Sequence, residues 1–365
     1  MAFELQFLGA TERVTGSLYL LQAGSARILL ECGLVQGVAD EELRNREPFP
    51  FNPQAIDAVV ISHSHIDHSG RVPLLVKQGY DGPVYTHAAS KALCDIMLPD
   101  SGYLNEKEAE WENKKRARQG KSAIQPLYTR EEAEASISQF HGLEYETPTE
   151  IAPGLTLTLY DAGHILGASI VQLEYDDGDN KRTLVFSGDL GYRDAPLMDP
   201  TTRLTHADVV LMESTYGDRD HLPIDETLAE ITDVFEAARA AQGNILIPAF
   251  TVGRTQDLLY LMAEHFEDWN LGKWKIFLDS PMGISATKVY SQFRHLFAAT
   301  LFEPKTDYPD LPNLFATRTV EESMAINEME AGAIIIAGSG MCTGCLLYTS
   351  DAADDNRLVW RAGGG

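Results

Sequence analysis

At 365 residues, 44% of them hydrophobic and 23% charged, the chain is long enough for two domains with proper cores and has the composition of a folded globular protein. Its 54 acidic against 29 basic residues leave a formal net charge of -25, which argues against a broad basic nucleic-acid surface but not against a locally cationic cleft. No apolar run reaches the length of a membrane span, the N-terminus lacks a secretory pattern and four cysteines make no disulfide framework, so a cytoplasmic protein with reduced thiols and no membrane partner is expected.

Apolar runs joined by short turns predict strands at residues 3–8, 17–22, 26–31 and 55–62. The fourth delivers the densest chemistry in the chain, Ser62-His63-Ser64-His65-Ile66-Asp67-His68. Three imidazoles and a carboxylate at this spacing call for metal, since no structural role requires them, and these are the donors zinc accepts at catalytic sites. In an extended backbone, residues two apart face the same way. His63, His65 and Asp67 are therefore expected on one side and His68 on the other, so that one segment serves two adjacent ions.

Helices are expected at 69–79, 88–98, 106–119 and 129–140, with a strand at 84–86. The helix at 106–119 alternates Glu with Lys and Arg and reads as a solvated face in preference to an RNA-facing arm. His141 reads as a capping or surface residue. Strands at 155–160 and 183–186 lead into Asp161-Ala162-Gly163-His164 and Ser187-Gly188-Asp189-Leu190-Gly191. Taken singly, His164 or Asp189 is an ordinary turn residue. Beside the cluster at His63, they read as the remaining ligands of a two-metal site, brought in from separate strand ends.

His63-x-His65-x-Asp67-His68, followed by His164 and Asp189, resembles the metal-binding motifs of the metallo-β-lactamase fold superfamily. That family usually carries an aspartate where Glu31 stands before Cys32-Gly33, a departure expected to matter for orienting the loop, not for binding metal. A strand at 209–212 then runs into Glu213-Ser214-Thr215-Tyr216-Gly217, similar to the acidic motif that opens the β-CASP insertion of RNA-processing nucleases, the relatives of the mRNA 3′-end cleavage and polyadenylation specificity factor nuclease. The resemblance covers residues 3–344. It implies an α/β fold, with a metallo-β-lactamase αββα sandwich in 1–215 and an inserted α/β β-CASP domain in 216–344, both incomplete at the C-terminus.

From residue 225 onward helices (225–241, 254–266, 283–297) alternate with strands (244–248, 275–278, 333–337), a rhythm that predicts a parallel sheet covered by helices. Ligands bind beyond the carboxyl ends of such strands. One end carries Gly253-Arg254 at a helix start, a phosphate seat; another carries Gly338-Ser339-Gly340, a second anion nest. The competing reading of each is a turn that needs glycine; in the resemblance both face the nuclease cleft, making Arg254, Ser339 and Gly340 candidate substrate-phosphate residues. Beyond residue 344 the character changes. Cys345 to Asp355 back-translate as a transposase adapter used in sequencing libraries, so a truncated reading frame is expected, with Cys342-x-x-Cys345 accidental and 345–365 a non-native tail belonging to no fold.

The resemblance implies a zinc-dependent RNA phosphodiesterase, endo- or exonucleolytic, in which His63, His65 and His164 hold one zinc, Asp67 and His68 hold a second, and Asp189 bridges them. A water shared by the two ions would be the nucleophile, as a metal-bridged hydroxide. Asp67 and Glu213 form the catalytic set, Glu213 orienting a ligand or relaying a proton. The family's late histidines, which complete the second zinc site and protonate the leaving oxygen, are missing from the sequence, so the chain as written is expected to be inactive on RNA. RNA is the expected partner, and a homodimer is compatible with the sequence. A thioester or lactone hydrolase is the rival enzyme, disfavoured by the Glu213 motif and the long insertion. A pseudo-nuclease scaffold is the rival without catalysis, disfavoured by the six intact ligands.

Overall fold

The computed structural model describes residues 3–38, 40–298, 308–338 and 358–359. The chain divides into two compact units, one of Met1–Tyr192 and Pro200–Thr215, the other of Arg193–Asp199 and Tyr216–Gly365.

The first unit contains two sheets. The first sheet runs in sequence order through β1 (Phe3–Phe7), β2 (Tyr19–Ala23), β3 (Ala26–Leu30), β4 (Ala58–Val60), β5 (Val84–His87) and β6 (Phe140–Leu143). The first two pairings are antiparallel hairpin contacts and the next three are parallel, which requires crossover connections between them. Those crossovers carry α1 (Glu41–Arg46), α2 (Ile66–Ser69), α3 (Val72–Lys77), α4 (Ala88–Arg118) and α5 (Arg130–Ser136). The second sheet contains β7 (Thr149–Ala152), β8 (Leu155–Asp161), β9 (Ser169–Asp176), β10 (Lys181–Phe186) and β11 (Val209–Leu211), antiparallel except for the parallel pair β10 and β11.

Alternate residues of β3 and β4 divide the apolar side chains between two cores. Leu29, Val59 and Ile61 pack with Leu75, Leu98 and Tyr128 under the helices, whereas Ile28, Leu30 and Val60 pack with Leu157, Val171 and Leu173 of the second sheet. A strand apolar on both faces is the signature of a central layer. It explains why the stretch through Ile61 reads as continuous hydrophobicity.

The second unit holds α6 (Ile224–Ala240), β12 (Ile245–Ala249), α7 (Arg254–Glu264), β13 (Lys275–Asp279), α8 (Pro281–Gln292), β14 (Leu314–Ala316), α9 (Val320–Ile326), β15 (Ala333–Gly338) and β16 (Leu358–Val359). Its sheet is wholly parallel, in the order β14-β13-β15-β12-β16. Phe235 of α6 meets Trp269 edge-on, and the Trp269 indole N–H donates to Thr232 Oγ1 at 2.9 Å, anchoring α6 to the segment after α7.

The structure departs from the predicted elements in four places. The expected helices at 88–98 and 106–119 are one 31-residue helix, α4, which continues through Pro99 and Gly102. Both residues are buried, and a Cβ on Gly102 would fall 2.7 Å from the Thr129 carbonyl oxygen, so close packing on the start of α5 outweighs poor helix propensity. Strands β6, β7, β9 and β14 stand where none was predicted. For β9 the signal was present, Val171, Leu173 and Tyr175 alternating with Gln172, Glu174 and Asp176. His141 is exposed, as expected, but lies in β6 and not at a helix end. Of the expected tail at 345–365, Leu358–Val359 form a short strand beside β12, and the remainder lies outside the described residues, as do Cys342, Ser339 and Gly340. No helix among the described residues is long and apolar enough to cross a membrane.

Candidate metal centre

The chain leaves β4 at Val60, bends through residues 62–64 and turns into α2 at Ile66. Asp67 and His68 are therefore helical, and the extended alternation expected to group Asp67 with His63 and His65 does not apply. The Asp67 carboxylate turns instead toward His68, with Oδ2 3.6 Å from His68 Nε2. A close backbone approach holds this bend. A Cβ on Gly33 would fall 1.5 Å from the Asp67 carbonyl oxygen, while Cys32 N–H donates to the His68 carbonyl at 2.8 Å. The Cys-Gly after β3 is thus required by the loop that carries the histidines.

His164 and Asp189 arrive from the ends of β8 and β10, the second sheet. Their loops also touch: Gly191 N–H donates to the Ala162 carbonyl at 2.9 Å, and a Cβ on Gly191 would fall 1.8 Å from the Gly163 carbonyl oxygen. Only glycine permits that approach.

Four donors converge. His63 Nε2 lies 3.0 Å from His65 Nδ1, His164 Nε2 lies 3.4 Å from that same nitrogen, and Asp189 Oδ2 lies 3.8 and 3.7 Å from His63 Nε2 and His164 Nε2. These atoms can all face one cation. On the other side of Asp189, Oδ1 lies 3.2 Å from His68 Nε2, the nitrogen that Asp67 also faces. Asp189 therefore presents one oxygen to each histidine set.

Glu31 clusters with His63 and His68 as well, but its oxygens are already committed. Ser62 N–H donates to Oε1 at 2.6 Å, and Ser62 Oγ and His68 Nδ1 lie 3.2 and 2.5 Å from Oε2. The residue is fully buried and holds φ at 62°, a backbone conformation rare outside glycine. A carboxylate behind a histidine fixes its tautomer and turns the other nitrogen outward.

The electrostatics fit a cation-binding set. Burial and the charge of His68 push His63 well below the ordinary imidazole value, leaving its lone pair available. Burial opposes charge on His68, yet the carboxylates of Asp67, Asp189 and Glu31 hold its pKa well above the ordinary value. Burial raises the Asp189 carboxyl, but His68, His63 and His164 outweigh it and hold Asp189 far below the usual carboxylate range. Glu213 lies outside the donor sets. Its carboxylate accepts Leu190 N–H at 2.9 Å and Thr215 N–H at 3.3 Å, steadying the residue next to Asp189. Ser62, which sequence reasoning left without a role, ties Glu31 to His63 through its hydroxyl, 2.9 Å from His63 Nδ1; its place just ahead of the histidines was the available signal.

In the second unit, Arg254 opens α7 at the carboxyl end of β12, after Gly253 at φ 90°. The turn is stapled by Gln256, fully buried, whose Oε1 accepts Gly253 N–H at 2.8 Å and whose Nε2 donates to the Thr251 carbonyl and Thr287 Oγ1 at 3.2 and 3.1 Å. Arg254 Nη1 stands 3.7 Å from Asp257 Oδ2. Burial, partly offset by Arg254, raises the Asp257 carboxyl to about 7.

A sequence profile of the Beta-lactamase superfamily domain matches residues 26–249, and one of the Beta-Casp domain matches residues 255–349. Ribonuclease TTHA0252 from Thermus thermophilus is 35% identical over 340 residues, covering 92% of this chain and 72% of that protein. The transcription termination factors FttA of Methanococcus maripaludis and a Lokiarchaeum species are 30% and 29% identical over 96% of this chain, which spans 54% of each. The fold alone is shared with a solved protein of unknown function from Enterococcus faecalis, 13% identical, with a TM-score of 0.50 over 92% of this chain and 77% of that one.

Proposed function

The chain belongs to the beta-lactamase superfamily and carries a Beta-Casp domain, and on that premise we propose that it is a ribonuclease, a phosphodiesterase acting on RNA with two zinc ions. The family fold implies divalent metal, and the donor chemistry supports a pair. His63, His65 and His164 would hold one ion, His68 and Asp67 the other, and Asp189 would bridge, its two oxygens facing the two histidine sets. The arrangement around Asp189 carries the reading, because its two oxygens face two separate donor sets, and a single ion would use only one of them. Bound there, two cations supply Lewis acidity, acidifying water near neutral pH and offsetting charge on a phosphodiester.

The chain's own residues do the positioning. Glu31 accepts the His68 Nδ1 proton, which leaves Nε2, the nitrogen beside Asp67 and Asp189, as the position that would ligate an ion once its own proton is displaced. Ser62 orients His63 through Nδ1, and Glu213 steadies Asp189 through Leu190 N–H. Arg254, together with the N–H groups at the start of α7, seats a backbone phosphate of the substrate.

The test is metal content by elemental analysis together with cleavage of a labelled single-stranded RNA, whose product lengths distinguish internal from terminal attack. Two zinc equivalents and chelator-sensitive cleavage, both lost in His63→Ala, are expected of the protein supplied with the late histidines that the resemblance implies. Cleavage that survives both the chelator and His63→Ala would overturn the proposal.

A further inference from the structure

The distal half of α4 combines three features that the metal centre does not use. From residue 113 to residue 130 there is no carboxylate and there are six cations, in a chain whose net charge is -25. Ala109 is buried, and opposite it Lys107, Trp111, Lys114, Lys115 and Arg118 recur at the spacing of a single helix face, all exposed. Trp111 is 66% exposed with Lys115 over its ring at 5.5 Å, and two turns earlier Lys107 stands 5.5 Å over Tyr103, itself 43% exposed.

We propose that this face docks single-stranded RNA, the phosphates lying along Lys114, Lys115, Arg118 and Lys121 and the bases stacking on Trp111 and Tyr103. The inference rests on the reading of RNA as substrate. The helix dipole explains cations in a last turn. It explains neither an exposed indole upstream nor Lys121 beyond the helix end. Lys114, Arg116, Arg118 and Lys121 make no ion pair among the described residues, while Lys107 and Lys115 are tied to Glu110 and Glu112 at 3.0 and 3.8 Å. Two carboxylates edge the face, Glu110, paired with Lys107, and Glu108, whose pKa is raised by partial burial and by Glu41 and Glu42 of α1. Cations tracking a backbone beside flat aromatic surfaces are the means by which proteins hold single strands without reading their sequence.

The position fits a substrate longer than the metal centre needs. α4 starts beside the metal loops, where Ser90 Oγ donates to the Gly167 carbonyl at 2.7 Å, and its 31 residues reach about 46 Å. A strand engaged at both places must therefore be long, whereas a short oligonucleotide reaches only one of them.

The test compares RNAs of about 6 and about 30 nucleotides, measured by fluorescence anisotropy across a salt series. The proteins are the chain itself, the triple variant Lys114→Gln/Lys115→Gln/Arg118→Gln, Trp111→Ser and Trp111→Phe. Because the side chains are exposed, unchanged thermal melting and metal content are required of every variant. For the long RNA, the triple variant is expected to lower the slope of log affinity against log salt by about 2, and Trp111→Ser to weaken binding about tenfold, with Trp111→Phe restoring most of it. The short RNA is expected to bind all four proteins alike. Long-RNA binding indifferent to the variants, with short-RNA binding intact, overturns this inference and leaves the proposed function standing; failure of the unaltered chain to bind either RNA overturns both. Variants that abolish self-association in sedimentation while leaving RNA affinity untouched make the face a protein interface, which also overturns it.

Discussion

The metal centre and the Arg254 turn are both built where strands end, and they differ in how many groups hold each functional atom. Around the metal centre the ligand residues have supports of their own: Glu31 behind His68, Ser62 behind His63, Glu213 beside Asp189. In the turn, Gln256 and Thr255 fix the backbone, and among the described residues Arg254 has a single ion-pair partner, a carboxylate 3.7 Å away. A cation pair demands donor positions within tenths of an ångström, whereas a phosphate tolerates a flexible guanidinium. The difference matches those demands.

The sharpest way to break the contrast is to remove a ligand. Losing a partner behind a ligand already costs about 10–100-fold in metal affinity, so His63→Ala or His65→Ala is expected to cost more than about 100-fold in zinc affinity, with at least half the bound zinc gone. His206→Ala and His265→Ala, far from the donor sets in sequence and assigned no ligand role, should retain full metal by the same elemental analysis. Equal zinc loss in both groups would dissolve the ligand assignment.

Removing a support tests the next level. Glu31→Gln keeps the size of the side chain but no longer demands the Nδ1 proton of His68. A fall in zinc affinity of about 10–100-fold is expected, read by competition with a chromogenic chelator, with circular dichroism unchanged. Undiminished affinity would make Glu31 a packing residue.

In the turn the effects should be smaller. Arg254→Ala is expected to weaken RNA binding severalfold and to lower the salt slope by about 0.7, one phosphate contact, while leaving zinc in place. An unchanged slope would return Arg254 to a structural role.

The smallest effect concerns Asp257, whose carboxyl is raised to about 7 in the fold. Because the folded pKa lies above the unfolded one, its contribution to stability is fully present below about pH 4 and is lost as pH rises through about 7. Asp257→Asn should flatten that decline, so thermal melts at about pH 5 and about pH 8 ought to differ less in the variant than in the parent. Its side chain retains 19% exposure, and Arg254 offsets part of the cost, so a difference of about 1 kcal/mol is expected. Parallel pH profiles for the two proteins would show that Asp257 does not titrate in this window.

Much of the centre was legible beforehand because metal ligation needs particular atoms, and few other roles gather three histidines and an aspartate into six residues, His63 to His68. The two lone ligands, His164 and Asp189, were visible as the same donor types beside glycines at strand ends. Their convergence on the cluster was expected from that pairing, but the contact that achieves it was not visible, since it depends on Gly191 passing Gly163 between loops from two strands of the second sheet. The alternation that grouped Asp67 with His63 and His65 failed on geometry. A local alternation rule holds only while the chain stays extended, and the helix that starts at Ile66 is set by packing that no window of sequence displays.

Residue chemistry by itself determined the donor types and the βαβ rhythm of the second unit, because each follows from side-chain identity and period, whereas the first strands were expected to pack on one face and the structure covers β3 and β4 on both. Tertiary structure alone decided which oxygen of Asp189 faces which histidine set, and that Glu31 spends its oxygens on Ser62 and His68. It alone also carried α4 unbroken through Pro99 and Gly102. Those outcomes depend on burial and on contacts between residues distant in the chain, whose energies outweigh local propensity and are not written in any one segment.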